Sequence, residues 1–222
     1  MKAVKEYALV IDRSTETQSV ALAETSGDGW TLVAERTLEG LGCRGGEWAE
    51  RVRAFLADRL GPDAKPARLV VGTGPGSFAG IRAALAFAQG YAIGSGCEVL
   101  GLPSPCAYAD EGPLAVVGDA RRGLRWVALF DGCRLVTDIF QVAADTLESR
   151  VPRFAKVTSP DDARLGAELK EAFGDRYDGG RAPTAAGLVR FVARNPSAPV
   201  REPLPIYLNP AVRDAPEGKA KA

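Results

Sequence analysis

The chain has 222 residues, 46% of them hydrophobic, and its 28 Lys plus Arg balance 28 Asp plus Glu. That length fits one large domain or two small ones sharing an interface, with a sizeable core. A formal charge of zero, with no basic stripe, argues against a chain that grips tRNA or DNA unaided, because neutralising phosphates takes clustered Lys and Arg.

There is no histidine. Its absence removes the commonest general base, the commonest zinc ligand and every Ser-His-Asp or Cys-His arrangement. Cys43, Cys97, Cys106 and Cys133 form no C-x-x-C pair, so no metal site is expected, and scattered thiols suit a reducing compartment. The apolar run Tyr7 to Ile11 is too short for a signal peptide and ends on Asp12, which predicts a cytoplasmic protein without a membrane segment.

In chain order, residues 7–12, 17–24 and about 30–37 read as three strands, the last two parted by the turn-rich Ser26-Gly-Asp-Gly29. Residues 47–60 follow as a helix in which Trp48, Val52, Phe55 and Leu56 share a face and Gly61-Pro62 ends the run. A short strand at 69–71, a helix at 78–94 and a strand at 99–102 complete a β-β-β-α-β-α-β order. A related order then begins again. Strands are predicted at 115–118, 125–130, 134–140 and 154–158. Next comes a helix opened by Ser159-Pro-Asp-Asp162, with Ser as N-cap and Pro at the first helical position, closed by Gly174. A last helix covers about 183–194. The expectation is an α/β protein of two lobes, each a mixed sheet with packed helices, dividing into 1–103 and 104–210, with a flexible tail at 211–222.

Three stretches could carry chemistry. The first, Val70-Val-Gly-Thr-Gly-Pro-Gly-Ser77, has the strand–glycine–helix form of a phosphate cradle, with Gly74, Gly76 and Ser77 as anion-binding candidates. No Lys follows, and no acid ends the next strand to hold a ribose, so the loop equally serves as a turn and cap for the helix behind it. The second is Asp12 with Ser14 and Thr15, at the end of a buried strand: either a phosphate loop or a hairpin turn. The third is Asp119 within Gly118-Asp-Ala-Arg-Arg-Gly123, either an acid facing Asp12 across a cleft, suited to a metal–phosphate, or part of a charged turn. No nucleophile with an adjacent base stands out.

The helix at 78–94 is nearly without a polar side. Phe78, Ile81, Leu85 and Ile93 fall on one face, and Ala79, Ala83, Ala86 and Gly90 form a stripe of small residues roughly 100° away. Phe87, Tyr91 and Ala84 make a third sector, leaving Arg82 and Gln89 as the strongly polar positions. Either the helix is central and buried in this chain, or one face meets the sheet and the small stripe meets a partner's helix.

Asp12-Arg-Ser-Thr-Glu16 with Ser19-Val-Ala-Leu22, then Gly72-Thr-Gly-Pro-Gly-Ser-Phe-Ala-Gly80 with Arg82, together resemble the TsaB (YeaZ) family. Asp119-Ala-Arg-Arg-Gly123 and Pro205-Ile-Tyr-Leu208 fit the same pattern, which spans about residues 7–210. The resemblance implies a two-lobed actin-like (ribonuclease H-like) fold and a subunit with no catalytic residues of its own. Such a subunit supports tRNA N6-threonylcarbamoyladenosine modification beside the anticodon. It also implies a TsaD-like catalytic paralogue and a TsaE-like ATPase as partners, or a second copy in a homodimer, with tRNA met only through the complex. ATP or ADP with Mg would then belong to the assembly interface. The partner-facing residues on the first two helices would be Trp48, Arg51, Phe55, Phe78, Ala79, Arg82, Ala83, Ala86, Gln89 and Gly90. This chain departs from the family pattern at Arg13, Thr73 and Ala79, and at Arg44-Gly-Gly-Glu47 where the first helix begins. The alternative function is a metal-dependent ATPase or small-molecule kinase using Asp12 and Asp119. A glycoprotease-type peptidase ranks last, because its catalytic groups are missing.

Overall fold

Strand β1 (Glu6–Asp12) is the hub of the first sheet. Its core, Ala8 to Ile11, is apolar without alternation because both faces are covered. β2 (Gln18–Ser26) and β3 (Gly29–Leu38) continue antiparallel on one side, while β4 (Arg68–Gly72) and β5 (Glu98–Leu102) run parallel on the other. The order is β3-β2-β1-β4-β5. A computed structural model describes residues 6–27, 29–38, 46–63, 65–109, 112–196 and 202–208; the expected tail and Arg44-Gly45 lie outside them.

The second sheet repeats this plan. β6 (Pro113–Arg121) pairs antiparallel with β7 (Leu124–Asp131) and parallel with β10 (Lys156–Ser159), which pairs in turn with β11 (Tyr177–Gly180). β8 (Arg134–Leu135) and β9 (Phe140–Ala143) both lie along β7, so the single strand expected at 134–140 is two short ones. Each pairs with a different end of β7, and residues 136–139 bridge them.

The alternating side chains of the first sheet sort into two cores. Leu9, Ile11, Val20, Leu22, Leu69 and Val71 pack under α1 (Glu47–Leu60) and α2 (Phe78–Ser95). Val10, Ala21, Ala23 and Val70 face the other way, toward Val116, Ala128 and Phe130 of the second sheet. Between the sheets lie α5 (Ala185–Arg194) and a 3-10 turn, Ser104–Tyr108. The outer face of the second sheet carries α3 (Leu147–Arg150) and α4 (Asp162–Phe173). The layers are therefore helices, sheet, helix, sheet, helices.

α5 follows the second sheet in sequence but rests on β1, β2 and β3. Thr184 caps it, its hydroxyl accepting from the Gly187 N–H, and the Ala185 N–H donates to Ser19 Oγ at 2.8 Å. Gly187 allows α5 to touch the 3-10 turn, because a Cβ there would overlap the Ala107 carbonyl oxygen. Ser159 is not the cap of α4. It stays in β10, paired with Gly180 of β11, and its Oγ accepts from the Asp161 N–H; the helix begins two residues later than a Ser159 cap would give.

Candidate functional site

The glycine-rich loop joins β4 to α2. Gly74 has φ +88°, a left-handed backbone that a side chain would strain. Gly76 and Gly80 are required by close approach: a Cβ at either would overlap a carbonyl oxygen, that of Ser14 or that of Arg13. The β1–β2 turn therefore packs directly against the glycine loop. Its contacts also use the amides. The Ser77 N–H donates to the Ser14 carbonyl at 2.7 Å, and the Gly74 N–H to Ser104 Oγ at 3.0 Å. Ser77 caps α2, accepting from the Gly80 N–H at 3.2 Å.

Asp12 lies beneath this loop with 0% exposure. Its Oδ1 accepts both from the Ser14 N–H at 2.9 Å and from the Ser14 hydroxyl at 2.7 Å. Among the described residues no hydrogen bond of good geometry reaches Oδ2, and the Ser104 hydroxyl is a polar group beside it. Burial pushes the Asp12 carboxyl above its ordinary range, against the opposing pull of Ser104 and Ser14.

A cleft of about 760 Å³ opens between the two sheets. Ser14, Thr15, Gly76 and Ser77 line one wall, and Asp119, Arg121, Trp126, Asp161 and Arg164 the other. Asp12 and Gly74 are not in its lining, so the two carboxylates expected to face each other do not. Asp119 is committed to cations: Arg164 reaches it at 3.1 Å, Arg121 at 3.2 Å and Arg125 at 3.9 Å. Its N–H donates to Asp161 Oδ2 at 2.9 Å. It is a residue of β6, ahead of the turn at Arg122-Gly123. Trp126 closes the floor, its indole occupying the space a side chain at Gly118 would take. Among the described residues no cluster of three or more acidic or thiol side chains could hold a metal. Asp119 and Asp161 are thus tied to arginines on the second-sheet wall, and Asp12 lies outside the cleft.

The outward face of α2 is the other candidate. Gly80, Ile81, Ala84, Leu85 and Ala88 are buried. Phe78 and Ile93, which the wheel groups with Ile81 and Leu85, are 48% and 89% exposed; for Phe78 that exposure is compatible with the partner-facing place the resemblance implies. The reason is length: α2 spans about 27 Å while the five-residue strands beneath it cover about 17 Å, so both helix ends overhang the sheet. Ala79, Arg82, Ala86, Gln89 and Gly90 are exposed and Ala83 half-buried, so the small stripe does face outward. The stripe extends to Gly94, which the sequence reading left out. A Cβ at Gly90 or Gly94 would meet nothing within 4 Å among the described residues, so nothing described around them calls for glycine.

On α1, Arg51 is exposed and pairs with Glu47 at 2.8 Å. Trp48 and Phe55, expected at a partner surface, are 3% and 0% exposed and belong to the chain's own core. The Arg13 guanidinium lies 4.2 Å over Trp48, and Phe87 of α2 meets Trp48 edge-on at 5.2 Å. Arg13 thus points into the helix layer. Thr73 is buried, donating from Oγ1 to the Leu102 carbonyl and accepting from the Ile206 N–H. That contact ties residues 202–208 to the loop and sets Tyr207 5.1 Å from Phe78, with Arg82 5.1 Å over the Phe78 ring. Ser104 and the Tyr207–Phe78 pair carry no local sequence signal, because both depend on contacts between distant segments.

No family model matches this chain. Uncharacterized proteins of Mycobacterium bovis and Mycobacterium tuberculosis are 38% identical over 119 residues, 52% of this chain and 56% of each relative, so the match spans about half the length of those relatives. No described helix is long and apolar enough to cross a membrane. YeaZ from Pseudomonas aeruginosa superposes with a TM-score of 0.65 at 21% identity, covering 91% of this chain and all of that one. A second Pseudomonas aeruginosa structure, of an uncharacterized protein similar to the peptidase YeaZ, gives 0.66 at 20% identity over 92% of this chain and all of its own. Two mixed sheets of matching order, layered with helices, give this chain the fold of YeaZ.

Proposed function

We propose that this chain is a TsaB-like, non-catalytic subunit of the tRNA N6-threonylcarbamoyladenosine machinery, and that it works by docking a TsaD-like catalytic paralogue on the outward face of α2. One observation carries the reading: Gly90 and Gly94 lie in a helix, face outward, and a Cβ at either would meet nothing within 4 Å among the described residues. A helical glycine costs about 1 kcal/mol relative to alanine. Small residues on an exposed, nearly uncharged face fit a second helix that must approach closely. The YeaZ fold and the sequence motifs around Asp12 and Gly72 support the choice of partner.

In this reading the chain contributes surface and rigidity. A TsaE-like ATPase joins the assembly, any ATP or ADP with Mg sits where subunits meet, and tRNA is held by the complex in the cytoplasm. The peptidase description of a structural neighbour does not transfer, because this chain has no histidine and no nucleophile–base pair was found. The isolated chain should neither turn over ATP nor modify tRNA, and should co-purify with a TsaD-like subunit from its native host. Metal-dependent ATP turnover by the isolated chain would overturn the proposal in favour of the kinase or ATPase reading. Ala83→Glu and Ala86→Glu should each lower partner affinity by about tenfold or more, with melting unchanged. Retained binding by either folded variant removes the stripe from the interface, and self-association that tracks the same variants makes the occupant a second copy.

A further inference from the structure

Three arms meet at one carboxylate, one of them hydrogen-bonded and two of them contacts at Oδ2. The first runs from Asp12 Oδ1 to the N–H and hydroxyl of Ser14. Ser14 passes it on: its carbonyl accepts from the Ser77 N–H, the N-cap of α2, and closes over Gly76. The second arm is steric, since Asp12 Oδ2 fills the space a Gly72 side chain would need at the end of β4. The third passes through Ser104, whose Oγ stands beside Oδ2 and accepts from the Gly74 N–H. The β1–β2 turn, the glycine loop and the 3-10 turn leading to the second sheet are thus fixed relative to one another at the entry to α2.

We infer that Asp12 is a positioning residue for the docking helix, setting the direction in which α2 leaves the glycine loop, and that it handles neither metal nor phosphate. The inference rests on the docking role of α2. Its chemistry requires an acceptor at Oδ1 and a polar group of the same shape beside Ser104, and it does not require charge. Asparagine meets both needs: its carbonyl keeps the two Ser14 bonds and its amide can donate to Ser104 Oγ. Alanine meets neither and leaves the Ser14 donors unsatisfied in a buried place.

The test uses the full chain with Asp12→Ala, Asp12→Asn and Ser104→Ala. Hydrogen exchange is read on the isolated protein at residues 74–82 and, as a control, in β6 and β7, followed by capture of the TsaD-like partner. Asp12→Ala should speed exchange at 74–82 by about tenfold with the control unchanged, and weaken capture in proportion. Asp12→Asn should restore both. Ser104→Ala should speed exchange at Gly74 and keeps the inference testable if Asp12→Ala does not fold. An Asn variant that fails like Ala would overturn it, because a metal or proton-transfer role gives that result. So would undisturbed protection at 74–82 in Asp12→Ala or Ser104→Ala. Exchange is read without a partner, so restored protection with no capture by the wild type would fault the docking reading alone.

Discussion

α2 and α4 hold the same place in the two halves of the molecule. α2 joins β4 to β5 and α4 joins β10 to β11, and each covers the outer face of its sheet. Their inner sides are alike, with Ile81, Ala84, Leu85 and Ala88 on one and Leu165, Leu169 and Phe173 on the other. Their outer sides differ. α4 shows water Asp162, Arg164, Lys170 and Glu171, the ordinary finish of a surface helix. α2 shows Ala79, Ala86, Gly90, Ile93 and Gly94 with Arg82 and Gln89. Even the glycines separate them: a Cβ at Gly166 would stand 2.6 Å from its own Asp162 carboxylate, whereas those at Gly90 and Gly94 would meet open space. One helix ends in a charged, solvated face and the other in an exposed face of small and apolar residues, the face to which we assign a partner.

Substitutions can test how far that contrast goes. The largest effects belong to the shared inner faces: Ile81→Ala and Leu169→Ala should each cost about 2–5 kcal/mol by chemical denaturation. If only the α4 variant is costly, α2 is not held by its sheet as described. Outer-face glycines come next, with different outcomes on the two helices. Gly90→Ala and Gly94→Ala should each stabilise the isolated chain by about 0.5–1 kcal/mol while weakening partner capture. Gly166→Ala should gain little or nothing, because Asp162 must move off its hydrogen bond from the Tyr177 hydroxyl, which offsets the helix-propensity gain. The smallest effect is Ile93→Ala, within about 0.5 kcal/mol for the isolated chain because the residue is already solvated.

The pH dependence sharpens the comparison from the loop side. The folded state raises the Asp12 pKa, so the protonated form is favoured by folding. The associated stability is present below the unfolded carboxylate pKa and is lost as pH rises through the higher folded value. Asp12→Asn lacks that titration. Its stability relative to wild type should increase from acid toward neutral pH, measured as the difference between two denaturation series; a constant difference would mean that Asp12 is not raised.

Helix α1 was legible to the residue, since Trp48, Val52, Phe55 and Leu56 mark its inner face and Gly61 its end. The same residues Trp48 and Phe55 were also expected at a partner surface and are buried, and the wheel's grouping of Ile93 with Ile81 and Leu85 did not hold on α2. Periodicity gives direction around the axis but not how far the supporting strands extend. Ser159 looked like a cap because Ser-Pro-Asp-Asp fits one, yet pairing to β11 held it in the sheet. The cradle at Gly74–Ser77 resembled an anion site because glycine spacing is the same whether a phosphate or a neighbouring turn fills the notch. The neighbouring turn is that of Ser14, far from Ser77 in sequence, and only the fold brings it there.

Trp126, lying over Gly118 at the floor of the cleft, is 3% exposed and lines the space between the sheets. Trp48 is equally buried on the opposite side of the first sheet, in the layer shared by α1 and α2. The molecule therefore carries two separate optical reporters, one beneath the cleft and one beneath α1 and α2. With Trp30 replaced by Phe, a change in Trp126 emission alone signals something entering the cleft, and a change in Trp48 emission alone signals movement in the helix layer.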